Sequence, residues 1–433
     1  MSNNSSTKAK WFKYVEEGNK DGIEQLLEEG IDIDIQGGLG DTALIIASRE
    51  GRTEIVKILV EKGASLDIQN KDGYTALIMT SRKGHTDTVK LLLEKGAKLD
   101  IQTKDDETAL IMTSFEGHTD IVKLLVEKGA KLDIQDKWGA TALITASEKG
   151  HIDMVRLLIE KGADMNIQNT WGHTALMFAS DIDTVRLLIE EGADINFQNK
   201  YGNTGLHMFV SINKHIDMVR LLIEKGADTN IQNIDGYTPL MIALSGGRTD
   251  VVKLLIENGA DINIQDRYGI TALIRASMMG QTDIVKLLIK NDADINIQDK
   301  DGSTALMYAS SKGRIDMGGE RAQGRTEIVK LLIENGADTF IKDKDGETAL
   351  DYSQTHDIRK ILLKIKEKRN EQSGQELAVG YQKITRQSSK PGTGPANLIR
   401  KFAGIQSPRG YKKNRSGGSR KRRPTRRNRT RRF

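Results

Sequence analysis

Gly139-Ala140-Thr141-Ala142-Leu143-Ile144-Thr145-Ala146-Ser147 is followed by a turn at Lys149-Gly150-His151, the apolar run Met154-Val155-Arg156-Leu157-Leu158-Ile159, Gly162, and Asp164-Met165-Asn166-Ile167-Gln168. The same order of residues begins again at Gly172-His173-Thr174-Ala175-Leu176. The Thr of the Thr-x-Leu motif falls at 42, 75, 108, 141, 174, 204, 238, 271, 304 and 348, at intervals of 33, 33, 33, 33, 30, 34, 33, 33 and 44. A fixed period of this size means stacked units that bury their apolar faces only against neighbours, which lets 433 residues fold without one outsized core.

Inside a unit, Leu44, Ile45 and Ala47 form the buried stripe of an inner helix that Thr42 caps through its hydroxyl. Acidic residues enter the first turn of the outer helix (Glu54, Asp87, Asp120, Asp153), where the helix dipole favours them. Gly63 and its equivalents supply the left-handed residue that ends that helix; Asp292 replaces it in repeat eight, at a cost on the order of 1 kcal/mol. Asp-Ile-Asn-Ile-Gln then extends into a hairpin-like loop, with β-branched and polar residues alternating.

These parts resemble the ankyrin repeat, whose hallmark is Gly-x-Thr-Pro-Leu-His, an Ala-rich first helix, Gly-His, a Val-x-Leu-Leu-Leu second helix and Gly-Ala-Asp-x-Asn. The resemblance covers roughly residues 10 to 365 and implies a mainly α fold, an α-solenoid of helix-turn-helix units with hairpin-like loops. Pro follows the Thr only at Pro239, and the hallmark His survives only at His207. In the family that His hydrogen-bonds near the Thr, so repeats with Ile or Met there are expected to hold the turn by apolar contact. The low divergence between repeats and the tail Gly417-Gly418-Ser419-Arg420-Lys421-Arg422-Arg423 resemble the ankyrin proteins of giant DNA viruses of amoebae.

Residues 1–8 are polar and expected to be disordered, and 9–36 form a degenerate N-capping repeat around Trp11 and Leu26. Ankyrin-type repeats follow over 37–343, at about 37–70, 71–103, 104–136, 137–169, 170–199, 200–233, 234–266, 267–299 and 300–343. Repeat five loses three residues at its helix–helix turn, repeat six gains one, and repeat nine gains eleven between Ile315 and Arg325, which is expected to alter only a surface loop. Residues 344–368 form a C-capping repeat, shortened like repeat five, and 369–433 a disordered basic tail.

The chain contains no Cys, which excludes disulfides, thiolate metal sites and cysteine nucleophiles. No apolar run is long enough for a membrane helix and no signal-peptide core is present, so an intracellular location, cytoplasm or nucleus (of a host, if viral), is expected. The net charge of +5 hides a division: residues 371–433 hold 18 Lys/Arg against 2 Glu, leaving 47 basic and 58 acidic residues in 1–370. The array is therefore acidic, at −11, and the tail basic, at +16; one consequence would be a tail that folds back to mask the array.

No phosphate loop, dinucleotide fingerprint, His-Glu-x-x-His or catalytic constellation occurs. No catalytic residue, cofactor or metal is expected, and an enzyme is not. His85, His118, His151 and His215 all sit in the Gly-His turn, where Arg52, Arg248 and Gln281 replace them, so they are expected to be hydrogen-bonding turn residues.

What remains is recognition of a partner protein by a monomeric array through the groove and loop tips that the resemblance implies. The residue before the loop glycine is aromatic at Trp138, Trp171, Tyr201 and Tyr268, and the residue after it adds His173 and Tyr237. These rings form a candidate binding surface or, alternatively, stiffen the array by packing along neighbouring loops. The alternative function is nucleic-acid binding or nuclear targeting by the tail. Its candidates are Arg400, Lys401, Lys412, Lys413 and Arg415, at bipartite spacing, and Arg420, Lys421, Arg422, Arg423, Arg426, Arg427, Arg429, Arg431 and Arg432. Such a tail would take nucleic acid or an import receptor as partner, or serve only for solubility.

Overall fold

The computed structural model describes residues 5–212, 216–311 and 319–388. Each repeat is a pair of helices joined by a short turn. Inner helices run Ala43–Arg49, Ala76–Lys83, Ala109–Glu116 and Ala142–Lys149 in the first four repeats. The outer helices that follow them run Thr53–Glu61, Thr86–Glu94, Thr119–Glu127 and Ile152–Glu160. Inner helices stack on inner helices and outer on outer, so the core is a ribbon through the array. Ala47, Ala146 and Ala276 are wholly buried on the inner helices, where small side chains let neighbours approach.

The expected caps form. Thr42, Thr75, Thr108 and Thr141 each accept the backbone N–H three residues on through Oγ1. The inner helices then end on left-handed glycines such as Gly84 and Gly117. The Gly-His turn residue does not cap the helix it precedes; it reaches back to the preceding repeat. His85 Nε2 lies 3.0 Å from the Arg49 carbonyl and His118 Nε2 3.1 Å from that of Arg82. Gln281 Nε2 donates to Leu244 O, Arg248 to Val210 O and Ile212 O, and Arg325 to Met278 O. His, Arg and Gln interchange here because each supplies a nitrogen at that reach.

No strand occurs among the described residues; the hairpin-like loop is held by side chains instead. Gln69 Nε2 donates to Gly73 O in its own loop and to Gln102 O in the next, each at 2.8 Å. Gln36, Gln135, Gln198, Gln232, Gln265 and Gln298 repeat that double bond. Asp292 takes the left-handed conformation expected of it (φ 63°), and Asp106 does so too (φ 59°), at a loop tip where the other repeats use glycine.

Other expectations are revised. The first helix begins at Ser5, inside the segment expected to be disordered, and Trp11 and Val15 on it are buried. The inner helices of repeat five and of the closing unit are reduced to Ala175–Phe178 and Ala349–Tyr352. The insert in repeat nine does more than lengthen a loop: the outer helix there runs Gly319–Glu334, 16 residues against nine elsewhere. Residues 312–318, 213–215 and the turn histidine His215 lie outside the described residues. The last helix, His356–Ser388, passes the expected end at 368, because Glu, Lys, Gln, Arg and Leu favour helix and no proline intervenes before Pro391. Contacts divide the chain into a repeat unit of residues 1–362 and a second unit from Leu363, described only to Ser388.

Glycines at the two left-handed positions of a repeat carry different loads. A Cβ on Gly63 (φ +90) meets nothing within 4 Å, whereas one on Gly73 (φ +87) lies 2.7 Å from Lys104 N and Thr103 Cα. Gly63→Ala should cost about 1 kcal/mol, the backbone term alone. Gly73→Ala should cost about 3 kcal/mol, because two adjacent tips must separate. Urea unfolding of the full chain checks the order; equal costs would mean the tips do not bear on one another.

Candidate binding face

Each loop tip is built by its first residue. Asn169 Oδ1 accepts from Trp171 N and His173 N at 3.0 Å, while Gly172 N bonds back to Asn169 O. Asn70, Asp136, Asn199, Asn233, Asp266, Asp299 and Asp343 fold their tips in the same way. Burial pushes the Asp136 carboxyl up, opposed by its two backbone donors. Adjacent tips are then tied through the main chain. Lys71 N donates to Leu39 O, Lys104 N to Asp72 O, Lys137 N to Asp105 O, Thr170 N to Trp138 O, Ile234 N to Tyr201 O and Lys300 N to Tyr268 O.

The acceptor in that ladder is always the residue before the tip glycine, so its carbonyl faces the neighbour and its side chain is left outward. Trp138, Tyr201 and Tyr268 are accordingly 42%, 50% and 50% exposed; Trp171 stands in the same register, 44% exposed, but its carbonyl takes no such bond. Lys137 Nζ sits 4.2 Å from the Trp138 ring centre, and the Arg267 guanidinium 4.7 Å from that of Tyr268. Two exposed apolar tip residues were not among the expected site residues, Leu39 and Ile234. Leu39 occupies the same register as Trp138, which is the signal that could have found it.

The residue after the glycine turns the other way. His173 and Tyr237 are half-buried against the inner helices, apart from the outward row. The His173 ring lies 5.2 Å from that of Phe178. Tyr237 lies under the Arg275 guanidinium at 4.5 Å, and Arg275 also pairs with buried Asp266 at 2.7 Å.

A second row, on the inner helices, was absent from the sequence expectations. Four residues after seven of the ten motif threonines stand Met79, Phe178, Met208 and Ile242, half-buried, then Arg275, Tyr308 and Tyr352, while Ile46, Met112 and Thr145 at the same position are buried. The Tyr308 hydroxyl donates to Asp299 at 2.7 Å and that of Tyr352 to Asp343 at 2.6 Å. Burial, then that bond, raises the Tyr308 phenol, and the bond to Asp343 first of all raises Tyr352 to about 12. The face is thus apolar through its middle and polar toward repeat ten.

His207, the surviving hallmark histidine, is buried; its Nδ1 is 3.1 Å from Thr204 N and 2.9 Å from Thr204 Oγ1, and its Nε2 is 3.1 Å from Tyr237 O. Met307 and Asp351 take over that contact to the capping Thr in their own repeats. Among the described residues no group of three or more His, Asp or Glu is arranged to hold a metal ion, and no helix is long and apolar enough to cross a membrane. The tail candidates from Arg400 to Arg432 lie outside the described residues.

Stacked helix pairs that expose a row of tip side chains beside an inner-helix face define a repeat scaffold. The chain belongs to the ankyrin repeat family: the family model for ankyrin repeats in three copies matches residues 12–105, 98–169, 172–266 and 261–318, and that for the single ankyrin repeat matches 301–344. Members of the family are in general non-catalytic scaffolds for protein–protein interaction. No curated protein matches the chain.

Burial lowers the pKa of both His173 and His207. Each ring is therefore neutral in the folded array, and the stability that depends on its neutrality is complete above the unfolded value of about 6.5 and is lost as pH falls through and below it. The urea midpoint should drop between about pH 7.5 and pH 5. His207→Met, the residue that repeat nine uses, should lessen the drop, and an unchanged drop would show that His207 does not titrate with unfolding.

Proposed function

We propose that the chain is a non-catalytic scaffold that holds a partner protein on its tips and inner-helix face, with Trp138, Trp171, Tyr201 and Tyr268 as anchors. The observation that carries this reading is the common register of the four rings: all four are exposed, and the main-chain ladder that ties the tips takes the carbonyls of Trp138, Tyr201 and Tyr268 and leaves their rings outward. Large rings on rigid backbone lose little entropy on docking and contribute most of the energy of many interfaces. His173 and Tyr237 support this surface from beneath. On this reading the apolar middle of the face, Met79 to Ile242, receives the partner's apolar side chains. The resemblance to ankyrin proteins of giant viruses would put that partner in a host cell.

The charge division favours a second, separable role. A tail of +16 (18 Lys/Arg against 2 Glu) suits phosphate backbones or an import receptor. Gel shift of DNA or RNA by the full chain, and none by a chain ending at Gln372, is the expected result; equal shifts would remove the tail from that role.

The main reading is tested with a partner recovered by affinity purification and identified by mass spectrometry. Trp138→Ala combined with Trp171→Ala should weaken its binding on the order of 30-fold or more, with the helical circular dichroism unchanged. Undiminished binding by that double variant would refute the anchors.

A further inference from the structure

We propose that the tips Asn169–His173 and Asn199–Asn203 together form a receiving site for an acidic side chain of an extended partner peptide, its carboxylate accepted by the side-chain amides of Asn169 and Asn199. The inference rests on the scaffold reading and gives the partner a chemistry. Asn169 Oδ1 is held by two backbone N–H groups at 3.0 Å, and Asn199 Oδ1 by two at 2.9 Å. The amide orientation is thereby fixed, and Nδ2 is left in both as a donor.

At Asn70, Asn233, Asp266, Asp299 and Asp343 this second atom is satisfied in one of two ways. It meets the residue after the preceding tip's glycine, as Asn70 Nδ2 meets Asp41 and Asn233 Nδ2 meets Asn203. Otherwise it meets the inner-helix side chain of its own repeat, as Asp266 meets Arg275 and Asp299 meets Tyr308. For Asn169 these two neighbours in register are Ala140 and Phe178, and for Asn199 they are His173 and Met208. Neither Nδ2 finds a partner, nor does His173 Nδ1, although Asn169 and Asn199 are only 3% and 6% exposed. A buried donor without an acceptor is destabilising, and an incoming acceptor would relieve that.

Charge selects the acceptor. Residues 1–370 carry −11, and tips on both sides of this window hold Asp72, Asp105, Asp136, Asp235, Asp266, Asp301 and Asp345. From 169 to 180 and from 199 to 212 there is no acidic residue, and Lys200, its Nζ on Thr170 O at 2.7 Å, stands at the edge. A carboxylate offers acceptors only and matches two amide donors beside an ammonium. A basic side chain, which the array's net charge would attract, would set donors against donors. The rings of His173 and Phe178, 5.2 Å apart at their centres and both half-buried, belong to the residues that stand in register with the two amides. They must turn aside on entry, and exposed Trp171 and Tyr201 then flank the peptide.

The test uses the full chain and three fluorescein-labelled decapeptides that differ at one central residue, Glu, Gln or Lys, between leucines, read by fluorescence anisotropy. The Glu peptide should bind at least tenfold more tightly than the Lys peptide. Asn169→Asp with Asn199→Asp installs the residue used at Asp136 and Asp266, keeps the tip bonds, and should reverse that order. His173→Asn copies the Asn203 acceptor onto Asn199; it should raise the thermal midpoint and weaken Glu-peptide binding. Equal binding of the three peptides, tighter binding of the Lys peptide, or Glu binding untouched by both variants would overturn the proposal. The scaffold reading would still stand if the tryptophan variants lose their partner, so the two failures are distinguishable.

Discussion

The rest of the structure depends on one constraint: a loop tip has too few partners of its own, and its polar groups must be met by the next tip. At most tips the glutamine gives one amide N–H to its own tip and the other to a carbonyl of the following tip, and the tip N–H donates in the opposite direction, to the preceding tip. Each such bond contributes on the order of 1 kcal/mol net. Their larger effect is geometric, because they fix the rotation of every tip about the stack. Exposure of Trp138, Tyr201 and Tyr268, whose carbonyls take these bonds, goes with that rotation.

The same logic operates at the other end of the helix pair. A His, Arg or Gln reaches across to the carbonyl at the end of the preceding inner helix, and the left-handed glycine beside it leaves room: a Cβ on Gly51 would lie 2.6 Å from the His85 ring. Polar ties at both edges enclose the apolar ribbon of Leu, Ile, Val and Ala. The side chains that neither tie nor ribbon uses, chiefly the outward tip residue and the apolar fourth residues after the capping Thr, are the ones the proposed scaffold offers to a partner.

The repeat fold was legible because its signals recur: Thr-x-Leu and the glycine ending each outer helix appear ten times or nearly so, the turn glycine followed by His, Arg or Gln in most units, and each has a local physical reason. The row before the tip glycine was legible for the same reason, since a change of residue type at a fixed register stands out. Less legible were features that depend on where a side chain points. His173 and Trp171 are two residues apart and both aromatic in the sequence, yet Trp171 is turned outward and His173 inward, against Phe178. The row from Met79 to Tyr352 is hidden because it lies next to core positions of similar hydrophobicity. Helix lengths were misjudged where a local reading had no neighbour to copy, at Ser5, in the insert before Glu334 and beyond residue 368.

Where the spacing departs from 33 residues, at repeats five, six and nine, the change falls between inner and outer helix and never at a tip. Because most tips engage only the adjacent tips, and do so with the same few atoms, a whole unit could be copied or excised at those junctions and the two cut edges would find matching bonds across the seam. The reach of the array is therefore adjustable in whole-module steps, as a ratchet strap is by its teeth.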